Sequence, residues 1–348
     1  MNRTEALEHL ASDKRVVPEG AQIDAGYFEP SDAPAVARLF YAVYGDGYPV
    51  DNYYIPERLI EEHRLGNIYS AVARISTGDV VAHIALYHSS ASNPGLYEYG
   101  LGLSLPAYRS GVAFFRTTQL IMDLVGKNGI DGIFGEAVCN HTITQKLCSK
   151  YSNMKETALE PALMPAQAYE AEQSADGRVG CLFYSRVDLD RHRTLYIPPV
   201  YEDELRFILD GLDLDRELRI SDIEITVNNG AIEVTRFAFA GVARCTVTAP
   251  GENLATLLKE LERNLRKDDY ALIQFFIDMG KPWSIAVVEL MRREGYSLGG
   301  LLPIWFGDDG LLMQKHFVNP GFESLKIYSD RGRTLADMVR RDWARSNS

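Results

Sequence analysis

The stretch YEYGLGLSLPAYRSGVAFFRTTQL, residues 97–120, decides how the chain is read. Successive side chains of a strand alternate faces. Tyr97, Tyr99, Leu101, Leu103 and Leu105 are therefore expected on one face, and Glu98, Gly100, Gly102 and Ser104 on the other. Two glycines on one face leave room for the close approach of a ligand or a second backbone. Pro106 ends the strand, and AYRSGVA turns into a helix. The free N–H groups of a helix N-terminus form an anion site, here beside Arg109. An acid, a narrow groove and an anion cradle in series suit a long ligand with pyrophosphate at one end.

Upstream, a polar arm leads into a strand at 21–28, and Ser31 or Asp32 caps a helix carrying Val36, Leu39, Phe40 and Val43 at helical spacing. GDGYP at 45–49 breaks it, and a second helix opens at Pro56. Runs at 68–75 and 80–88, joined by STGD, form an antiparallel hairpin leading to the strand at 96–106. Downstream come a helix at 111–126, a strand at 130–138, a helix at 141–152, and strands near 157–164 and 180–188.

A connector at 190–219 carries one amphipathic helix, and the second half then repeats the plan. Strands are expected at IEITVNN (223–229), AIEVTRFAF and GVARCTVTA, then a helix at 252–266, a strand at 271–279, a helix at 283–295 and strands at 297–305 and 311–317. Residues 133–165 and 272–303 both run strand, helix, strand to a proline, as in a diverged duplication. The basic tail puts Leu335, Met338, Val339 and Trp343 on one helical face, which suits a docking helix.

The chain has 348 residues, about two domains' worth. Its 36 basic and 48 acidic residues give a net charge of −12, which argues against a dedicated nucleic-acid binder. There is no apolar run long enough for a membrane span and no secretory leader in the first residues. Cys139, Cys148, Cys181 and Cys245 lack CxxC spacing, and the histidines form no HxxxH or HExxH pair, so no metal site is expected. The expectation is a reduced, cytoplasmic α/β protein with a mixed sheet.

On these residues, 21–188 resembles the GNAT superfamily of acyl-CoA N-acyltransferases. Its order is strand, two helices, three strands, helix, strand, helix, strand, strand. Its signature, Gln/Arg-x-x-Gly-x-Gly/Ala, follows the proline that ends the fourth strand. Tyr108-Arg109-Ser110-Gly111-Val112-Ala113 matches at Gly111 and Ala113, with Tyr108 in the first position and Arg109 one place late. Asn140 matches the asparagine that often opens the family's fourth helix. A tyrosine that protonates the leaving thiolate is frequent near the position held here by Cys148, and Tyr151 lies three residues on, on roughly the same helical face. The second half reads TAPGENLATL where the glycine signature would stand.

The resemblance implies two tandem GNAT-like domains, 1–189 and 220–348, the second without the phosphate motif and carrying the basic tail. It implies acetyl-CoA or another acyl-CoA as co-substrate and no metal. The acceptor is then a primary amine of a small molecule or peptide, with a homodimer left open. Pyrophosphate would rest on residues 109–113 (Arg109, Ser110, Gly111, Val112, Ala113), and the thioester against the strand at Leu103 and Leu105. Glu98 is the candidate base, Glu136 a weaker one, and Tyr151 the candidate acid. Cys148 reads as a small buried hydrophobe and His83 and His88 as strand residues. Two other functions stay open: a catalytically silent acyl-CoA-sensing or protein-binding module, and an aminoacyl-tRNA-dependent transferase, against which the acidic charge counts.

Overall fold

A computed structural model describes residues 1–109, 112–165, 177–225 and 229–347. The chain divides into two compact units, Met1–Ile133 and Phe134–Ser348.

The first unit opens with helix α1 (Arg3–Ser12), where the sequence suggested only a polar arm. Asn2 and Glu5 cap each other reciprocally, and Ala6 and Leu10, one turn apart, are buried. Strand β1 (Ile23–Tyr27), helices α2 (Ala33–Tyr44) and α3 (Pro56–Arg64), strands β2 (Ile68–Ile75), β3 (Val80–Tyr87) and β4 (Leu96–Ser104), and helix α4 (Ala113–Met122) follow. Gly45, at φ +59°, ends α2 where a left-handed residue is needed. The strands form an antiparallel sheet in the order β1-β2-β3-β4.

Alternation then sets two cores. Val72, Val80, Ala85 and Leu103 pack with Leu39, Phe40, Tyr53 and Leu59 from the α2–α3 side. Ala73, Val81 and Ala82 meet Tyr108 and Ala113 at the start of α4. Within α4, Ala113, Thr117, Thr118 and Ile121 are buried, while Phe114 and Leu120 are only half-buried.

The second unit is built on strands β5 (Gly132–Val138, whose first two residues close the first unit), β6 (Lys155–Met164), β7 (Val179–Val187), β10 (Ala231–Phe237), β11 (Val242–Ala249), β12 (Leu272–Asp278), β13 (Ser297–Leu302) and β14 (Gly310–His316). Their order is β5-β7-β6-β13-β14-β12-β11-β10. The sequence β5-β7-β6 thus recurs as β12-β14-β13, and the two sets meet where β6 pairs antiparallel with β13. Gly300 makes that approach: it sits opposite Ala158 at φ +140°, and a Cβ there would overlap Thr157 O and lie 2.5 Å from Ala158 Cα. The compact division falls at β5 and not at 190–219 because this pairing ties residues on both sides of the connector into one sheet.

Helix α5 (Ile143–Lys146) follows β5, α7 (Leu254–Lys267) precedes β12, and α8 (Ser284–Arg293) follows it. The connector holds α6 (Glu202–Leu209) and a small parallel sheet of β8 (Arg193–Tyr196) and β9 (Arg216–Arg219). Of the strand expected at 223–229, residues 223–225 and 229 are not in a strand, and 226–228 lie outside the described residues. Strand β10 is exposed at nearly every position.

The basic tail is helix α9 (Asp330–Ser346), with Leu335, Ala336 and Val339 buried. It docks through Asp342, whose Oδ2 accepts from Leu298 N (2.7 Å) and Tyr201 Oη (2.8 Å). Among the described residues, no helix is long and apolar enough to cross a membrane.

Candidate functional site

Strand β4 does not alternate regularly through its glycines. His83 faces Leu103 and Ala85 faces Gly100, so Ile84 alone stands against Leu101 and Gly102. Leu101 takes φ +55°, a left-handed conformation unusual for a branched residue. This is a β-bulge, which re-aims the side chains beyond it. Glu98 and Gly100, opposite Tyr87 and Ala85, share the α2–α3 face, and Leu103 joins them there. Gly102 turns to the α4 side, where a Cβ would lie 2.8 Å from Phe114 Cζ. The expected division of faces is therefore corrected past Gly100. The space left by the glycines is also not an open groove. Tyr87 Oη lies 3.1 Å from where a Cβ of Gly100 would be, and Phe114 fills the space beside Gly102.

Glu98 accepts a hydrogen bond at Oε1 from the hydroxyl of Tyr87. Around it stands an aromatic group that α2 and the following loop supply. Phe40 stacks on Tyr53 at 4.6 Å, and Tyr48 meets the rings of Phe40 (5.3 Å), Tyr44 (5.1 Å) and Tyr53 (5.5 Å). Burial, and then the Glu98 charge, hold the Tyr87 phenol well above the ordinary tyrosine value. Tyr48 and Tyr53 are raised chiefly by burial, with Glu98 adding to it. All three are protonated near neutrality and can donate to an anion. The tyrosine-rich run YAVYGDGYPVDNYY at 41–54 was the available signal for this wall.

Behind the bulge lies a second polar feature that the sequence reading missed. His83, fully buried, places Nδ1 2.9 Å from Leu101 O and Nε2 2.9 Å from Ser70 Oγ. Ser70 Oγ also lies 3.0 Å from Nε2 of His63, whose Nδ1 is 2.8 Å from Leu59 O. Since a peptide is planar, holding the Leu101 carbonyl also fixes the direction of the Gly102 N–H. His63 and Ser70 are on α3 and β2, and no sequence spacing pairs them with His83.

At the end of β4, Leu103 is buried and Leu105, just beyond it, is half-buried, and the Leu105 N–H donates to Val81 O at 3.0 Å. That amide is already engaged. Residues Pro106–Tyr108 form a single tight turn, closed by the Arg109 N–H donating to Pro106 O. Tyr108 is buried: its hydroxyl donates to Pro18 O (2.5 Å) and accepts from Ala21 N (3.2 Å), so it holds the N-terminal segment. Arg109 is exposed, Val112 is exposed, and Ala113 is buried at the first turn of α4, which no side chain caps. Ser110 and Gly111 lie outside the described residues. A cavity of about 360 Å³ is lined by Ala107, Tyr108, Val112, Ala113 and Arg116 against residues 20–23.

Asn140 and Tyr151 stand in the second unit. Asn140 is buried just beyond β5. Tyr151 ends a π-helical turn, Leu147–Tyr151, and is 54% exposed, whereas Cys148 is 5% exposed. The expected sharing of a face by these two is thus corrected: the wider i→i+5 turn rotates Tyr151 off the face that Cys148 occupies. Burial pushes the Cys148 thiol up to about 12, in keeping with an inert side chain. Glu136 is ion-paired with Arg244 at 2.5 Å. No cluster of three or more metal-ligating side chains occurs among the described residues.

The element order of residues 23–187 is strand, two helices, three strands, helix, strand, short helix, strand, strand. The fold is GNAT-like. No family model and no curated protein matches the chain. Among solved structures, the chain is similar to the ribosomal-protein-S5-alanine acetyltransferase of Vibrio fischeri, at 12% identity and TM-score 0.37, covering 50% of this chain and 97% of that one. It is similar to an N-acetyltransferase of Staphylococcus aureus Mu50 at 13% identity and TM-score 0.38 (48% and 99%). A putative acetyltransferase of Salmonella typhimurium, solved with acetyl-CoA, aligns at 14% identity and TM-score 0.39 (49% and 95%). Each GNAT-like neighbour covers about half of this chain.

Proposed function

We propose that the chain is an acyl-CoA-dependent N-acyltransferase acting on a primary amine of a small molecule or peptide. Its N-terminal GNAT-like copy, 1–189, would hold the thioester. The observation that carries this reading is Glu98, oriented by Tyr87 beside the β4 bulge and set against an aromatic wall.

An alkyl amine arrives as an ammonium ion, with a reference pKa near 10.4. Aromatic faces and a carboxylate suit that cation. Glu98 takes one proton, directly or through water, and the freed lone pair attacks the thioester carbonyl. A backbone N–H of 101–105 meets the oxyanion, and the Gly102 N–H, oriented through Leu101 and His83, is the candidate. Collapse expels the thiolate, to which Tyr151 is the proposed proton donor, and the second ammonium proton leaves the nitrogen and restores the tyrosine through solvent. The exposed Arg109 and the uncapped start of α4 suit pyrophosphate, with Ser110, Gly111, Val112 and Ala113 as the turn and Asn140, Leu103 and Leu105 as further contacts to acyl-CoA.

The recurrence of β5-β7-β6 as β12-β14-β13 supports a second copy at 220–348, joined through 190–219. That copy lacks the glycine turn, so only the first is assigned acyl-CoA. A silent acyl-CoA-sensing or protein-binding module is the second reading, favoured by one observation: Tyr108, where the family has Gln or Arg, is committed to Pro18 and not to a phosphate.

Thiol release from acetyl-CoA across a panel of amines, alongside thermal shifts with CoA, tests the proposal. Turnover supports the enzyme. Thermal stabilisation without turnover supports the sensor, and no response to any CoA ester removes both.

A further inference from the structure

The His63–Ser70–His83 chain is short of one proton. Leu59 O and Leu101 O only accept, so both imidazoles must present Nδ1–H to them. A neutral imidazole has a single N–H, which leaves both Nε2 atoms bare. Each lies within 3.0 Å of the same Ser70 oxygen, whose single hydroxyl hydrogen can serve one of them. Three protons face four contacts. The fourth would set two lone pairs against each other.

We infer that His63 is a proton-gated positioning residue: it takes the missing proton, and the hydrogen bonds then run in one direction from it to the β4 bulge. His63 Nε2–H donates to Ser70 Oγ, the Ser70 hydroxyl to His83 Nε2, and His83 Nδ1–H to the Leu101 carbonyl. All four contacts are then made, and the charge at one end polarises the bond that holds the bulge at the other. The inference stands whether or not acyl transfer is the reaction.

The surroundings select His63 over His83. His83 is completely buried, whereas His63 is half-buried and lines a cavity of about 500 Å³ with Tyr27, Phe28, Ile60 and Tyr69. Phe28 stacks on the His63 ring at 3.8 Å, an arrangement that favours a cation. Asp32 and Glu62 favour the charge. Arg74 offsets Asp32, to which it is paired, and Arg64, which also lines the cavity, is paired with Glu61. On the β3 side the one ionisable neighbour named by the network is His83, and a charge there would oppose one on His63. Burial lowers both rings, His83 to about 4, and the half-buried His63 keeps the solvent access for an added proton that His83 lacks. As pH rises, Ser70 keeps its donation to the fully buried His83 and the His63 contact is lost.

Imidazole-nitrogen NMR of the intact chain between about pH 5 and 8 tests this. The expected result is that His63 becomes an imidazolium on the acid side while His83 stays a neutral Nδ1–H tautomer. The Gly102 amide shift should follow the His63 titration. In Ser70→Ala that correlation should vanish and the His63 titration should move to lower pH. His63→Gln, which offers an N–H at every pH, should give a Gly102 shift that no longer varies with pH. His83 as the Nε2–H tautomer, His83 titrating before His63, or a Gly102 shift that still follows pH in Ser70→Ala would overturn it. If Ser70→Ala fails to fold, the tautomers of the unsubstituted protein decide.

Discussion

Tyr87 and Glu98 face each other directly across strands β3 and β4, and the tyrosine hydroxyl donates to the carboxylate. A charged hydrogen bond of this kind fixes which way the carboxylate points. Glu98→Gln keeps the shape and removes the basicity. Steady-state thiol release should fall by about 10²–10⁴-fold in kcat. Tyr87→Phe should fall by less, with melting lowered by about 1–3 kcal/mol for the lost bond. Full activity in Glu98→Gln would remove this residue from the base role.

Tyr108 and Arg109 are adjacent and should behave oppositely. Tyr108→Phe loses the bonds to Pro18 and Ala21, so it should cost about 1 kcal/mol of stability and leave the KM for acyl-CoA unchanged. Arg109→Ala should raise that KM without lowering the melting temperature. Reversed effects would place the anion contact on the tyrosine.

The four thiols are buried, and Cys139, Cys148 and Cys245 are each pushed up to about 12 by burial. In the unfolded chain they ionise near 9, so their neutral forms contribute stability that is whole below pH 9 and lost as pH climbs toward 12. Each costs about 1.4 kcal/mol per pH unit over that window. Cys148→Ala should keep full turnover and flatten the alkaline decline seen in urea melts. A thiol reagent should find no reactive cysteine until the protein is unfolded, and rapid labelling of Cys148 would contradict its inert assignment.

Gly300→Ala places a methyl on the backbone of β6 and should lower stability by at least about 2 kcal/mol in chemical denaturation. The signals of Thr157 and Ala158 should shift first. An unchanged midpoint would mean that β6 and β13 part easily.

The strands and helices of the first 190 residues were largely legible because each carries its own period: β2 at 68–75 was read to the residue, and β3 and β4 to within two. What local pattern cannot show is where a period slips. Nothing in GLGLS announces that Leu101 adopts φ +55°, since the bulge is set by pairing with β3. The helix expected at 141–152 is present over 143–151, but its last turn is π, which adds a residue that composition does not report. Glu98 is proposed from an acid on a strand together with the GNAT resemblance. Its aromatic wall was passed over because the tyrosines of 41–54 become a cluster only once the loop folds back on α2. Ser70 was invisible: a lone serine in a strand means nothing until two histidines flank it. Asn2 and Glu5 did spell a helix start, and the arm was misread by weighing its polarity above its caps.

The seam between β6 and β13 has one more consequence. A strand edge left bare is an invitation to pair with any other chain. Each set of strands lends the other its border, so the half that lacks a glycine turn still has work to do as an edge guard. A gene fragment ending near residue 189 would encode every proposed catalytic group and yet leave the β13-facing edge of β6 at Ala158 open to self-association. The half that lacks the glycine turn is then needed for the border it supplies, whatever its chemistry.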